Sequence, residues 1–309
     1  MILAIAGGVG GAKLAHGLQM VLGPDELITV VNTGDDFEHY GLRICPDLDT
    51  VSYTLSGRAN PETGWGLAGE SWTFHGQLTA LGEAPWFQLG DKDLATHAIR
   101  TAGLRAGRSL SEVTASLTRA LGVPSKIVPM SDDDVRTAAV TDEGTLAFQE
   151  YFVRRRCEPV VKRLEYQGLN EAEPSPDFAA VLESSSLRAV VICPSNPYLS
   201  TAPILGLKGV GERLRAISAP VVAVSPIVGG EAVKGPAAKL MTEFGVEPSA
   251  HSVAAHYGDL LDGFVLDAVD GPLADGIDGP RVMVTDSIMK NDADRARLAQ
   301  EILSFSEQF

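Results

Sequence analysis

The feature that most constrains this chain is its opening. Ile2–Ala6 is an unbroken apolar run, and Gly7-Gly8-Val9-Gly10-Gly11-Ala12-Lys13 follows at once. An apolar run closed by glycines is the pattern of a strand buried on both faces, as in a parallel sheet covered by helices. Ala12–Leu22 reads as a helix ended by Gly23-Pro24, and Leu27–Asn32 as a second strand. Strand, glycine turn, helix and strand in that order commit the chain to an α/β fold. We expect a Rossmann-like, mainly parallel sheet flanked by helices, with an inserted subdomain or lid.

Later segments fit the same plan. Leu48, Val51 and Leu55 fall at helical spacing. Ser109-Leu110-Ser111-Glu112 is a capping-box pattern before a helix through Val113, Leu117 and Leu121, closed by Gly122. Thr137–Tyr151 reads as a hairpin turning at Asp142-Glu143-Gly144. The more polar stretch from about Arg154 to Pro176 is expected to leave the core. Residues 137–176 would thus be a lid-like excursion within one domain spanning 1–309. Ala189–Cys193, Val221–Val224 and Arg281–Val284 are further short strands, and Asn291 or Asp292 caps a last helix to about Phe305. In open parallel sheets ligands bind at the carboxyl ends of the strands. The loops after these strands are therefore expected along one edge.

Composition narrows the function. Lys plus Arg minus Asp plus Glu gives 25 − 40 = −15. That charge argues against a general nucleic-acid or anionic-membrane binder, because phosphate contacts need clustered cations. Cys45, Cys157 and Cys193 form no CxxC pair and no zinc spacing. Sparse thiols fit a reducing cytoplasm. The opening residues lack the positive flank of a signal peptide, and no apolar run approaches the roughly 18–20 residues that span a bilayer. We expect a soluble cytoplasmic protein acting on small molecules. An apolar share of 45% permits a homodimer.

Two motifs carry chemistry. The glycine loop, with Gly8, Gly10, Gly11 and Lys13, suits close approach of a phosphate to backbone amides at a helix start. On this reading a side chain at Gly10 blocks the phosphate and leaves the fold intact. The loop is not a Walker A sequence, and Lys13 stands where a dinucleotide fingerprint has its third glycine. Asn32-Thr33-Gly34-Asp35-Asp36 and Ile44-Cys45-Pro46-Asp47-Leu48-Asp49-Thr50 place Asp35, Asp36, Asp47 and Asp49 within 15 positions. Carboxylate oxygens suit Mg²⁺, while Asp47 or Asp49 also suits a helix cap. Few basic residues stand nearby: Lys13 and Arg43 are the nearest. Asp93 and His97 are four apart and share a helix face. Ser131-Asp132-Asp133-Asp134 reads as a solvated acidic run. There is no HExxH pair and no GxSxG elbow.

These blocks, with Leu89-Gly90-Asp91-Lys92-Asp93-Leu94-Ala95-Thr96-His97, Pro194-Ser195-Asn196-Pro197 and Ser225-Pro226-Ile227, occur in an order that resembles the 2-phospho-L-lactate transferase family of deazaflavin coenzyme (coenzyme F-420) biosynthesis. The resemblance runs from Gly7 to about Met241. It implies Mg²⁺-dependent transfer of a phospho-acid from a guanosine-diphosphate-linked donor to the ribityl hydroxyl of the deazaflavin Fo, releasing GMP. The acid is phospholactate, phosphoenolpyruvate or 3-phosphoglycerate. The implied nucleotide contacts are Gly8, Gly10, Gly11, Lys13, Ser195, Asn196, Ser225 and Pro226. The implied metal ligands come from Asp35, Asp36, Asp47 and Asp49, with Asp36 and Asp47 as catalytic candidates. Asp35, Asp91, Thr96 and His97 are candidates for the Fo side.

Two other readings share the opening. A related group of gluconeogenesis-factor-type bacterial regulators has a similar glycine loop and an acidic loop after the second strand. Those bind nucleotide sugars and have no use for Fo. A nicotinamide-dependent oxidoreductase would rest on the glycine loop alone, and the second strand ends in Asn32 rather than an acid.

Overall fold

The computed structural model describes residues 1–309. It begins with β1 (Ile2–Ala6), α1 (Gly8–Val21) and β2 (Leu27–Val31). A hairpin of β3 (Phe37–His39) and β4 (Leu42–Ile44) leads into α2 (Pro46–Leu55). Then come α3 (Thr73–Ala80), α4 (Asp91–Arg105), α5 (Leu110–Leu121) and β5 (Lys126–Pro129). The strands β6 (Arg136–Thr141), β7 (Gly144–Ala147) and β8 (Val161–Gln167) form a separate antiparallel sheet. The alternation resumes with α6 (Pro176–Leu182), β9 (Ala189–Ile192), α7 (Ala202–Leu205), α8 (Val210–Ala216) and β10 (Val221–Val224). A two-residue-strand hairpin, β11 (Ile227–Val228) and β12 (Glu231–Ala232), precedes α9 (Ala237–Glu243) and α10 (Ala250–Tyr257). The chain closes with β13 (Gly263–Asp267), β14 (Arg281–Thr285) and α11 (Asp292–Ser306).

Seven strands form one sheet in the order β5-β2-β1-β9-β10-β13-β14, every neighbouring pair parallel. The chain runs outward from β1 through β2 to β5, then returns to β9 on the other side of β1. The strand order therefore reverses between β1 and β9, which is where a doubly wound sheet leaves a crevice.

Strand periodicity divides the core into two layers. Leu3 and Ile5 face one side with Phe178, Val210, Met241 and Val253. Ile2, Ala4 and Ala6 face the other with Leu14 and Leu18 of α1, Leu48 and Val51 of α2, and Leu298 and Ile302 of α11. Both faces are covered, so the strands read as continuous apolar runs. The antiparallel sheet has its own small core, with Ala139, Phe148, Tyr151 and Val161 against Leu199 and Leu240.

Several local expectations hold. Ser109 Oγ accepts the Glu112 amide and Glu112 returns the bond, while Gly122 ends α5 at φ 80°. The hairpin turns at Thr141–Gly144 as expected. Two expectations need correction. The stretch after Arg154 does not wholly leave the core: β8 pairs with β6 in the separate sheet, but Leu169 and Ala172 pack in the larger core. The alternation of β8 is obscured because Lys162 and Arg163 stand exposed side by side and Leu164, Glu165 and Tyr166 are all half-buried.

The second correction concerns glycine. A Cβ built on Gly10 would stand 2.3 Å from the Pro194 carbonyl oxygen, and one on Gly11 2.4 Å from Ser195 Oγ. These glycines let α1 lie against the loop after β9. A side chain at Gly10 thus displaces backbone, and damages the fold before it can report on a phosphate. Gly17 does the same job on the far face of α1, where a Cβ would stand 2.2 Å from the Arg295 carbonyl oxygen of α11. We predict that Gly17→Ala lowers stability by about 1–3 kcal/mol, the usual cost of overpacking. Urea unfolding checks this, and an unchanged midpoint would show that the two helices separate freely.

Candidate active site

The crevice at the switch point opens into a cavity of about 790 Å³, a normal size for a small-molecule site of about 300–1,000 Å³. Gly7 after β1, Asp35 after β2, Ser195 after β9, Ser225 after β10 and Ser287 after β14 all line it. The strand-end loops do gather along one edge. At its base Gly7 N donates to Ser195 Oγ at 3.0 Å, and Ser195 Oγ donates to the Gly7 carbonyl at 2.9 Å. This reciprocal pair ties the two strand ends together.

The candidates divide by position. Gly8, Gly10, Lys13, Ser195 and Asn196 line the cavity, as do Ser225 and Pro226. Asp35, Asp47, Asp49 and His97 line it from the other half of the sheet. Gly11, Asp36, Asp91 and Thr96 do not. Asp91 instead caps α3: its carboxylate accepts the Thr73 and Phe74 amides at 3.0 Å and the Ser71 hydroxyl at 2.6 Å. The Ser71 bond, with those amides, holds its pKa down to about 2. Thr96 is buried beside Tyr53.

The four aspartates are not one cluster. Asp36 points its Oδ2 at Arg43 Nη2, 3.3 Å away. Burial pushes its pKa up to about 6 against the pull of Arg43. Arg43 also holds Asp134 at 2.9 Å, so it is spent on carboxylates outside the cavity. Asp49 is gripped through both oxygens by Arg100, and His97 Nδ1 stands 3.6 Å from it. His97 Nε2 lies 3.2 Å from Asp93, whose other oxygen accepts the Tyr53 hydroxyl at 2.5 Å.

Asp35 and Asp47 form the remaining pair, beside the glycine turn. Asp47 accepts Asn32 Nδ2 at 3.0 Å. Burial pushes its pKa up to about 6, opposed by the Asn32 bond and the Gly8 amide. Burial, then Asp47 and Asp36, push Asp35 well above the usual range, and its Oδ1 is buried without a partner. Neither Asp47 nor Asp49 caps α2 with its side chain. The residues therefore fit a divalent cation in one place. Asp35 and Asp47 offer hard oxygens, one orphaned, with no cation beside them. Asp49, Asp93 and His97 also bring ligand atoms within 4.8 Å of one another. There, however, Arg100 already neutralises Asp49 and stands 3.2 Å from His97 Nδ1.

The structure adds residues that no local motif announced. Lys234, Lys290 and Arg156 join Lys13 on the cavity wall, correcting the expectation of few nearby cations. Lys13 Nζ donates to the Met289 carbonyl at 3.0 Å, and burial, with Arg295 and Lys234 nearby, pushes its pKa down. Lys234 Nζ donates to the Thr63 carbonyl at 2.9 Å. Trp65, Trp86 and Phe87 line the cavity with Phe148 and Phe152. The last two are stacked 5.4 Å apart at 10°. Behind the wall, Asp267 accepts the Ser287 amide at 2.8 Å and Asp270 accepts the Gly229 amide at 3.0 Å. An acid at or just past the end of β13 was the available signal for both. The acidic run after β5 is structural: Asp132 accepts the Ser111 amide and Asp133 the Glu173 amide.

The matching family model, 2-phospho-L-lactate transferase CofD, covers residues 2–294. The chain belongs to this family. Family relatives include a phosphoenolpyruvate transferase of Kitasatospora aureofaciens, 46% identical over 86% of this chain and 84% of its own. Another, from Streptomyces coelicolor, is 41% identical over 99% and 98%. A 2-phospho-L-lactate transferase of Methanosarcina mazei is 40% identical over 86% of each chain. The crystal structure of a UPF0052-family protein from Bacillus halodurans superposes with a TM-score of 0.64 over 98% of each chain, at 15% identity. That likeness speaks for the fold alone. No helix of the chain is long and apolar enough to cross a membrane.

The carboxylate pair yields a test. A native pKa near 6 at Asp47, against an unfolded value of about 3.9, means the native state binds the extra proton. Stability should therefore fall as pH rises from about 4 to about 6, then level off. Asp47→Asn should remove its share of that fall, while Asp36, also held near 6, keeps its own. Mg²⁺ should raise the wild-type melting temperature at pH 7 and leave the variant unmoved. Equal Mg²⁺ shifts in both proteins would remove Asp47 from any cation site.

Proposed function

We propose that the chain transfers a phospho-acid from a guanosine-diphosphate-linked donor to the ribityl hydroxyl of Fo, releasing GMP, within coenzyme F-420 biosynthesis. Membership of the family carries the reaction class. The cavity supports it by joining an anion-binding glycine turn, a cation-ready carboxylate pair and an aromatic wall. Phosphoenolpyruvate is the favoured acid, since the transferases named for it reach 46% identity against 40% for the phospholactate enzyme.

Asp35 and Asp47 would hold Mg²⁺, with Asn32 fixing Asp47. The ion supplies charge neutralisation for the diphosphate. The remaining work is positioning, because phosphoryl transfer needs little covalent help from protein. Gly8 and the start of α1 would present amides to the diphosphate, with Lys13, Lys234 and Lys290 around it. Asn196 supports a nucleotide grip: its Oδ1 accepts two amides of its own loop, and its Nδ2 is a buried donor without a partner. The Fo hydroxyl oxygen attacks the phosphorus bearing the acid and its proton passes to solvent; the phosphoanhydride bond to GMP breaks, and GMP leaves. Asp36, turned onto Arg43, would act by positioning the acidic loop.

The test is product analysis by mass spectrometry, with Fo, Mg²⁺ and each of the three guanylylated acids offered separately. We expect GMP and Fo extended by a phosphodiester. If no donor yields both, the transferase reading is wrong. Binding of nucleotide sugar without binding of Fo would favour a regulator.

A further inference from the structure

The donor proposed above carries a charge that the glycine turn does not address. Each of the three acids has a carboxylate as well as its phosphate. We propose that Arg156 is the carboxylate-recognising residue of this site and so helps set donor specificity. The inference rests on the transferase reading and deepens it.

The argument starts from three consecutive arginines. Arg154 pairs with Glu150 at 3.5 Å, and Arg155 pairs with Glu143. Both are spent on the outside of the excursion. Arg156 makes no ion pair and lines the cavity. The backbone bends to put it there. Arg156 and Cys157 adopt φ 50° and 58°, two successive left-handed residues without a glycine. Side-chain-bearing residues seldom adopt that conformation, and strain of this kind persists only where the surroundings hold it. Here the Cys157 amide donates to the buried Tyr151 carbonyl at 3.0 Å, and the Arg155 amide to the Glu150 carbonyl at 2.8 Å.

The same segment is tied to the acidic loop. Gln149 Nε2 donates to the Asp35 carbonyl at 3.3 Å. Asp35 belongs to the pair proposed to hold the cation on the diphosphate. The segment that carries Arg156 is thus joined directly to the loop that carries Asp35. The lysines stand elsewhere: Lys234 Nζ is close to Gly64 and bonds Thr63, and Lys13 bonds Met289. They suit the diphosphate as point charges. A planar fork of donors suits a carboxylate, which it meets with two parallel bonds.

The experiment compares wild type, Arg156→Gln and Arg156→Lys on the productive donor and on its carboxamide analogue. We expect Arg156→Gln to raise the donor KM about 10- to 100-fold, the loss typical of a charge-assisted bond. The Fo KM and the affinity for GDP alone should stay unchanged. Wild type should discriminate against the amide, Arg156→Gln should not, and Arg156→Lys should recover part of the discrimination. An unchanged donor KM overturns the proposal. So does an equal loss of GDP affinity, which would place Arg156 on the diphosphate, or a rise confined to the Fo KM. If wild type turns over no donor, the transferase reading falls. Calorimetry with acid and amide donors then still decides Arg156, because discrimination in binding needs no turnover.

Discussion

The reciprocal hydrogen bonds between Gly7 and Ser195 fix the geometry on which the rest of the site depends. They join the ends of β1 and β9, the two parallel strands between which the strand order reverses. An α1 lacking Gly10 and Gly11 could not lie close enough for this contact, since the Pro194 carbonyl and Ser195 hydroxyl occupy the space a side chain would take. The glycine loop thus has two duties. Gly10 and Gly11 set the helix against its neighbour, and only the turn residues before them remain free to meet a ligand.

The second organising force is the burial of negative charge. Four aspartates lie in a short stretch, and burying a carboxylate is costly unless it is paired. The fold answers differently at each. Arg43 covers Asp36, and Arg100 covers Asp49. Asp35 and Asp47 receive no such cation, so burial raises both pKa values, and the Asp47 and Asp36 carboxylates raise that of Asp35 further. A site kept unneutralised costs stability in the empty protein, and that cost persists only where something else supplies the missing charge. The contrast among four chemically identical side chains carries more information than their number.

That contrast also marks the limit of what the sequence made legible. Strands, the first helix, the caps at Ser109 and Asn291, and the hairpin at Asp142 follow from local periodicity and turn chemistry. The gathering of loops at one edge follows from parallel topology. The pairing of Asp49 with Arg100, 51 residues away, does not, because no local rule links them. Asp91 looked like a cavity residue because its neighbours are polar, yet its carboxylate satisfies amides of a helix 18 residues earlier. The strand β8 is not legible because Lys162, Arg163 and Glu165 fall between its apolar residues and leave no clean alternation.

The cavity's charge shows the same gap between composition and placement. The chain carries a net −15, which suggests a poor host for a polyanion. Yet Lys13, Lys234, Lys290 and Arg156 line the cavity against Asp35, Asp47, Asp49 and Asp93, four cations facing four carboxylates. Arg100 cancels one of the four acids from behind. Charges elsewhere on the surface are largely screened beyond about 10 Å at 0.1 M salt, so a ligand inside meets this local balance rather than the total. Three of the cations come from loops far apart in sequence, brought together by the strand ends. A divalent cation on Asp35 and Asp47 would tip the balance positive at the place where the proposed donor is most negative. The field that a bound diphosphate feels is therefore a product of topology, and it can oppose the sign of the molecule that creates it.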